Sequence, residues 1–411
     1  MMDYLQDVAS LLLRWLHVVA AIAWIGESFY FVMLDRALKT PKDPADRDRG
    51  VRGELWSVHG GGFYHKQKYL VAPGAMPEDL HWSKWKSYTT WLSGFALFAL
   101  MYLLDPQLYL IDPTVRPLAP TTAVLAALGF IVAGWFVYDL LCRLVGFRDA
   151  LLGIVVALFV LAVNIVATQL FSGRAAFLIS GAMLATIMSA NVFFVIIPGQ
   201  KRMVATLAAG ATPDPLPGLR GKQRSVHNTY FTLPVVFTML SNHYAYTYAH
   251  PQNWLVLSAI MVAGALIRQF FVVWHAGARQ WGLLAAGGAV LAAVLAWLAP
   301  TPRPQPLAPP VATAAHPTVT GAAATDPAPP ATAELLPLFA THCGGCHAAQ
   351  PRLLASAPQG VMFDTAAQIE QRAGLIYQQV VALRVMPPGN MTQMSEAERA
   401  AIGRWYLARP Q

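Results

Sequence analysis

Hydrophobic residues fall into eight long runs separated by more polar stretches. Each run is about as long as the roughly 20 residues that an α-helix needs to cross a bilayer. The runs lie at residues 8–34, 87–104, 121–144, 151–170, 175–197, 230–248, 253–275 and 281–299. The pattern therefore predicts an all-α fold, in which residues 1–300 form a polytopic membrane bundle of eight transmembrane helices.

The pattern changes after residue 300. Residues 301–332 are rich in Pro, Ala and Thr and carry almost no charge, which is typical of a flexible linker. Residues 333–411 show short helical segments, and the last of these is opened by Ser395 and Glu398 at the spacing of a capping box. The sequence therefore predicts a small helical domain of its own after the linker.

Composition and charge place the chain in a membrane. It is 56% hydrophobic and 12% charged, with a mean hydropathy of +0.44, whereas soluble domains carry about 25% charged residues. A net charge of +8 is compatible with nucleic-acid binding, but the basic residues follow another pattern. Eighteen Lys and Arg residues fall in the odd-numbered loops, and the even-numbered loops contain only Arg116 and Arg174. By the positive-inside rule the odd loops are cytoplasmic and both termini are periplasmic.

A pentapeptide near the C-terminus carries the most specific chemistry. Cys343 and Cys346 enclose two glycines, and His347 follows at once, which is the spacing of a covalent haem c site with histidine as proximal iron ligand. The alternatives are a zinc site, which would require further ligands at metal-site spacing, and a redox dithiol, which would sit in a βαβ pattern. The motif predicts one haem c in a class I-like cytochrome c domain. Haem c is attached outside the bacterial inner membrane, in agreement with a periplasmic C-terminus.

The second axial ligand of such an iron is expected downstream of the motif. Met386 is the candidate, because Pro387 and Pro388 directly after it stiffen the loop that would hold its thioether. Met391 and Met394 are the alternatives. A His/Met ligand pair raises the reduction potential, as an electron acceptor requires.

Polar side chains inside the predicted helices are costly in a bilayer and are therefore site candidates. The outer half of the bundle contains Arg14, His17, Asn164, Asn242 and His243. His17 and His243 lie at comparable depth on the first and sixth helices, as the ligands of a second, non-covalent haem b would, with Arg14 near a propionate. The alternative is hydrogen bonding between helices.

The inner half of the bundle contains a second polar group. Its members are Glu27, Asp139, Asn191 and Arg268, close to His59, His65, His227 and Asn228 near the cytoplasmic side. Arg268 is a candidate for anion recognition, and the alternative is a structural ion pair with Glu27 or Asp139. The histidines are candidates for proton transfer, although a single histidine is more often structural.

Several stretches together resemble a known family. They lie at residues 15–17 with 24–26, 59–65, 227–234 with 241–243, and 343–347. With these stretches the chain resembles the bacterial membrane-bound urate oxidases, or urate hydroxylases, that carry a C-terminal cytochrome c domain. The resemblance covers the membrane part and the tail, and of these stretches only the haem motif is specific by itself.

The resemblance implies oxidation of urate to 5-hydroxyisourate in purine breakdown, with electrons leaving through the cytochrome to a respiratory acceptor such as cytochrome c or a terminal oxidase. It gives no residue roles within the membrane part, so these follow from depth and chemistry. The predicted catalytic residues are His59, His65 and His227, and the predicted substrate-binding residues are Arg268, Gln269, Glu27 and Asn228. A quinol-oxidising or electron-relay subunit is the alternative function.

Overall fold

The computed structural model describes residues 2–69, 73, 76–299, 328–354 and 357–409. The protein is mostly helical (71%), as the hydrophobic pattern predicts. It forms two compact units, Met1–Ala292 and Ala293–Gln411. The predicted linker at 301–332 falls largely outside the described residues, and the predicted domain boundaries stay predictions.

The helices of the N-terminal part are joined by short connections, apart from one long stretch at residues 49–84. They are α1 (Met2–Ala37), α2 (Pro44–Asp48), α3 (Trp85–Phe98), α4 (Pro106–Tyr109), α5 (Pro120–Val145), α6 (Asp149–Leu170), α7 (Gly173–Ala190), α8 (Ile197–Ala208), α9 (Leu216–Leu240), α10 (Ala245–Tyr248), α11 (Asn253–His275) and α12 (Trp281–Trp297). Wider π-helical turns at Ala99–Leu103 and Asn191–Ile196 continue α3 and α7, and a 3₁₀ turn at Ser241–His243 follows α9.

Five helical segments of the described chain are long and apolar enough to cross a membrane. They are Val8–Ala37, Pro120–Val145, Asp149–Leu170, Gly173–Ala208 and Asn253–His275, and Trp281–Trp297 is a shorter apolar helix. The predicted second and sixth spans are helical as well. The sixth begins at Leu216, well before the predicted residue 230, because Arg224 and Asn228 are buried helix residues and not part of a polar loop. The membrane bundle is therefore supported, and the count of eight spans stays a prediction.

One antiparallel hairpin departs from the all-α prediction. Strand β1 (Val51–His59) pairs with strand β2 (Gly62–Tyr69), and His59 lies opposite Gly62. The two residues between the strands are Gly60 and Gly61, with φ angles of 57° and 80°. A two-residue hairpin turn with positive φ at both positions favours glycine, which has no Cβ to clash.

The hairpin is tied to the bundle at its base. The carboxylate of Asp35, near the end of α1, accepts a hydrogen bond from Lys68 of β2. The ammonium group of Lys222 in α9 lies 3.3 Å from the other oxygen of Asp35. One side chain therefore links the hairpin to two helices.

Helix α7 lies at the centre of the N-terminal bundle, where it packs against α5, α6 and α9. Close approach elsewhere depends on small residues. In α12 a Cβ atom added to Gly287 would lie 2.8 Å from Ile267 Cγ1 and 3.1 Å from the carbonyl oxygen of Ala263, both in α11, whereas one added to Gly288 would meet nothing within 4 Å. Gly287 therefore marks the point where α12 touches α11.

In the described part of the C-terminal unit, short α-helices and a π-helical segment at Tyr377–Ala382 surround an apolar core. The α-helices are α13 (Thr332–His342), α14 (Ala366–Gln371), α15 (Ala373–Ile376) and α16 (Glu396–Leu407). Phe339, Ile402 and Trp405 are buried in one cluster. The predicted capping box is confirmed: Glu398 N–H donates to Ser395 Oγ at 3.3 Å, and Ser395 N–H donates to Glu398 Oε2 at 2.7 Å.

Candidate functional site

Arg268 is a buried arginine on α11, with only 4% of its surface exposed. The ring of Phe29 in α1 covers one face of its guanidinium group, at 4.1 Å from the central carbon to the ring centroid. Within the described part of the chain, no hydrogen-bond partner reaches its buried Nε or Nη2 atom. These two atoms form one edge of the guanidinium plane, and such an edge donates two parallel hydrogen bonds to a planar acceptor.

Glu27, one predicted partner of Arg268, is engaged elsewhere. Its Oε1 atom accepts hydrogen bonds from Lys86 Nζ at 2.6 Å and from Ser83 Oγ at 2.5 Å. Glu27 therefore forms an ion pair with Lys86 of α3 and not with Arg268.

Asp139, the other predicted partner, forms a different ion-pair group. Its Oδ1 atom accepts from Arg224 Nη2 at 2.6 Å and its Oδ2 atom from Arg143 Nε at 2.7 Å. Both carboxylates that could have paired with Arg268 are thus bound to other cations. The described residues supply no counter-ion at hydrogen-bond distance from the Nε–Nη2 edge of Arg268.

Gln269 and Tyr230 join α11 to α9 beside this arginine. The hydroxyl group of Tyr230 donates a hydrogen bond to Gln269 Oε1. Gln269, predicted to bind substrate, therefore has its carbonyl oxygen occupied by the protein.

A second buried polar group, which we call the Tyr138 network, connects α5, α9 and the turn after α7. Tyr138 is fully buried, and its hydroxyl oxygen lies 2.7 Å from Nδ1 of His227. Asn191 Nδ2 donates to Tyr138 at 3.3 Å and to Asn228 Oδ1 at 2.8 Å, while Asn191 Oδ1 accepts from Arg224 at 3.4 Å. Asn228, predicted to bind substrate, is thus part of an internal network together with His227.

Neither Tyr138 nor Arg224 stands out in the sequence. A tyrosine within an apolar run has the pattern of a packing residue, and Arg224 is one of the eighteen basic residues in the predicted odd-numbered loops. The signal that could have found them is the run Arg224, His227 and Asn228, which has helical spacing and so shares one helix face.

The two hairpin histidines differ in their surroundings. His59 ends β1 and is exposed. His65 Nε2 lies 2.7 Å from Glu54 Oε2, and its ring stacks on Trp56 with 4.2 Å between centroids. The backbone N–H of Lys42 donates to Glu54 Oε1 at 3.0 Å; this bond, followed by that from His65, lowers the pKa of Glu54.

A cavity of about 410 Å³ borders this pair of side chains. Because the carboxylate of Glu54 accepts from Nε2 of His65, the Nδ1 atom is the one without a proton in the neutral ring. A histidine oriented by a carboxylate in this way is arranged to accept a proton.

The outer polar group connects neighbouring helices. His17 Nδ1 lies 3.0 Å from the carbonyl oxygen of Thr90 and 3.2 Å from Ser93 Oγ, both in α3. A Cβ atom at Gly94 would lie 2.7 Å from His17 Cε1, so this glycine makes room for the ring. His243 is exposed in the 3₁₀ turn. Hydrogen bonding between helices, the alternative to haem ligation, therefore accounts for His17 as it stands, and haem b stays a prediction.

The other members of the outer group also have protein partners. Arg14 donates to Ser10 Oγ at 3.1 Å and to Met101 Sδ at 2.9 Å. Asn242 Oδ1 accepts from Arg174 Nε at 3.2 Å, which links α7 to the turn that carries His243.

Three of the residues predicted to hold haem c, Cys343, Cys346 and His347, follow directly after α13. His347 Nδ1–H donates to the carbonyl oxygen of Val361 at 2.9 Å, which fixes the ring and leaves Nε2 as the nitrogen for a metal. Burial raises the pKa of the Cys343 thiol to about 12, so this sulfur is a neutral thiol and not a reactive thiolate. Cys343 also packs against the apolar core of the unit. These residues fit a haem c.

The three candidate methionines differ in position. Met394 is a core residue at 2% exposure and Met391 is 36% exposed, whereas Met386 packs against the core and is partly exposed. Buried Arg399 donates to the carbonyl oxygens of Met386 at 2.8 Å and Val380 at 2.6 Å, and so holds the Met386 loop against α16. This position is compatible with Met386 as the axial ligand, and the assignment stays a prediction.

In the described part of the chain, a mostly helical fold with five apolar segments of membrane length and buried polar groups indicates a membrane protein. The family model described as "Urate oxidase N-terminal" matches residues 3–299, and the chain therefore belongs to that family. Membership makes it a urate oxidase-like protein and an oxidoreductase by class. No curated protein and no solved structure matches the chain.

Proposed function

We propose that the protein oxidises urate to 5-hydroxyisourate in the bacterial inner membrane and passes the electrons to its own haem c domain and then to the respiratory chain. Family membership supports urate as the substrate. The observation that carries the proposal is the buried guanidinium of Arg268, whose Nε–Nη2 edge has no partner among the described residues.

Urate suits this edge by shape and charge. It is a planar monoanion at neutral pH, with carbonyl oxygens beside ring nitrogens, so two parallel N–H donors can meet two neighbouring acceptors. Phe29 already covers a face of the guanidinium and so leaves its in-plane edge for the ligand. Because Arg268 is buried, its interaction with an anion is stronger than at the surface.

The reaction adds the oxygen of one water molecule to urate and releases two electrons and two protons. A general base must take a proton from that water. Of the three predicted bases, His65 is the one whose ring is hydrogen-bonded to a carboxylate, that of Glu54. We therefore assign the proton-accepting role to His65.

The C-terminal unit is proposed to face the periplasm and to hold one haem c through Cys343, Cys346, His347 and Met386. Bound there, haem c supplies one-electron transfer. The contribution of the chain is positional: Val361 orients the ring of His347, and Arg399 holds the loop of Met386.

Substitution of Arg268 tests the binding site. Arg268→Lys removes the two-donor edge while keeping the charge, so the KM for urate should rise well above tenfold with little loss of protein yield. The measurement is steady-state urate oxidation by purified full-length protein, and Arg279→Lys, in the exposed loop after α11, is the matched control. A fall in yield at unchanged KM would show that Arg268 is structural.

A further inference from the structure

The Tyr138 network has a fixed direction of hydrogen bonding, set first by Arg224. A guanidinium group only donates, so the atom of Asn191 that faces Arg224 at 3.4 Å is its carbonyl oxygen. The amide nitrogen of Asn191 therefore points the other way, towards Asn228 and Tyr138.

The hydrogen bonds of Asn228, at the opposite end of the network, give Asn191 the same orientation independently. The backbone carbonyl of Met188 only accepts, and it lies 3.0 Å from Asn228 Nδ2. The carbonyl oxygen of Asn228 is thus turned towards Asn191, whose amide nitrogen donates to it at 2.8 Å. Both amides are fixed by groups that cannot reverse their roles.

The proton of Tyr138 follows from these amides. Its hydroxyl oxygen accepts from Asn191 at 3.3 Å, and its hydrogen is directed at Nδ1 of His227, 2.7 Å away. The thiol of Cys142 also contacts this hydroxyl group, but sulfur is a much weaker acceptor than an imidazole nitrogen. His227 Nδ1 therefore accepts, and in the neutral ring the hydrogen sits on Nε2.

We infer that His227 is held with its hydrogen on Nε2 and binds urate as a hydrogen-bond donor, with Tyr138 as the residue that positions it. This inference rests on the proposed function for its ligand, and it removes His227 from the candidate bases. A donor at Nε2 suits a carbonyl oxygen or the deprotonated ring nitrogen of urate. A donor that is already oriented stabilises negative charge without reorganisation.

The tautomer can be measured without substrate. Full-length protein labelled with ¹⁵N in its histidine rings should show a His227 signal with Nε2 protonated and Nδ1 unprotonated, assigned by its loss in His227→Gln. Tyr138→Phe should convert this signal to a mixture of tautomers, because the phenol donor is gone. A wild-type signal with the hydrogen on Nδ1 would overturn the inference whether or not urate is the substrate.

The donor role is tested by two amide substitutions. The side-chain nitrogen of Gln can stand near the position of Nε2, whereas that of Asn is too short, so His227→Gln should keep turnover within about tenfold and His227→Asn should lose about a hundredfold. Equal and complete loss in both variants would indicate a base and defeat the donor role. Absence of urate oxidation by the wild type would instead defeat the proposed function.

Discussion

Buried polar atoms without partners are expensive, and at the scale of single residues this cost is largest at Arg268. Among the described residues, Arg268 leaves both Nε and Nη2 unpaired, whereas the partly exposed Arg404 leaves only Nε. Asn164 and Ser180 each leave one buried oxygen unpaired, but these atoms are neutral. An unpaired neutral group costs about 1–3 kcal/mol, and a charged group costs more. A site that keeps a buried guanidinium edge unpaired is therefore best explained by an anion that completes it.

Substitution of Met386 tests the axial assignment. Met386→Ala should leave the haem covalently attached, because the cysteine bonds do not involve this side chain. It should lower the reduction potential and remove the Met–iron absorption band, since a thioether ligand raises the potential. Redox titration and visible spectra of full-length protein measure both effects.

Two other methionines serve as controls for that experiment. Met391→Ala should change neither property, because the side chain is the most exposed of the three. Met394→Ala should lower the free energy of unfolding by about 2–5 kcal/mol and keep the band, since it empties a core position. The assignment is wrong if either control loses the band while Met386→Ala retains it.

Sequence was informative about residues whose chemistry is rare and local. The spacing of Cys343, Cys346 and His347 needs no tertiary knowledge, and a charge such as Arg268 in an apolar run is conspicuous. Tyr138 could not be found in this way, because its role comes from groups on other helices that lie far along the chain. The partner of Glu27 was likewise decided by packing, which brought Lys86 to it and not Arg268.

Two elements differ from the sequence prediction, and each difference has a local cause. The hairpin of β1 and β2 is absent from the sequence prediction. Gly60 and Gly61 are a hairpin signal, but the flanking lysines and histidines are typical of a polar loop. Helix α9 begins earlier in the chain than predicted. Its first turns contain polar residues that are buried against α5, and a pattern of hydrophobic residues cannot reveal buried polar ones. Hydrophobic periodicity therefore located the apolar helices well, but it missed the polar first part of α9.

A pair of neighbouring glycines tests the contact between α12 and α11. Gly287→Ala should lower the free energy of unfolding by about 1–3 kcal/mol, because its Cβ would press on Ile267 and on the backbone oxygen of Ala263. Gly288→Ala faces open space and should be neutral or stabilising by up to about 1 kcal/mol through helix propensity.

The apparent Tm of the two full-length variants in detergent measures this difference. Equal shifts in the two proteins would mean that α12 does not approach α11 at Gly287.

The whole molecule consists of two compact units, and the proposed function divides its work between them. Urate binding and proton transfer belong to the first unit, and electron transfer to the second. A urate oxidase that reduced dioxygen directly would have no use for a tethered cytochrome. Because the electrons would leave through the second unit, we expect urate oxidation to proceed without dioxygen.

Anaerobic turnover tests this division. Full-length protein given urate and oxidised cytochrome c without oxygen should form product and no hydrogen peroxide. A chain ending at residue 300 should still bind urate but lose turnover with the protein acceptor. Stoichiometric peroxide, or unchanged activity after the truncation, would contradict the proposed role of the C-terminal unit.

The base of the hairpin carries an imbalance of charge. The single carboxylate of Asp35 faces the ammonium groups of both Lys68 and Lys222. Surplus positive charge at a surface speeds the diffusional encounter with anions, and dissolved salt weakens this attraction because mobile ions screen it. Arg268 is buried and is screened far less. Ionic strength should therefore slow the arrival of an anionic substrate while leaving its departure almost unchanged.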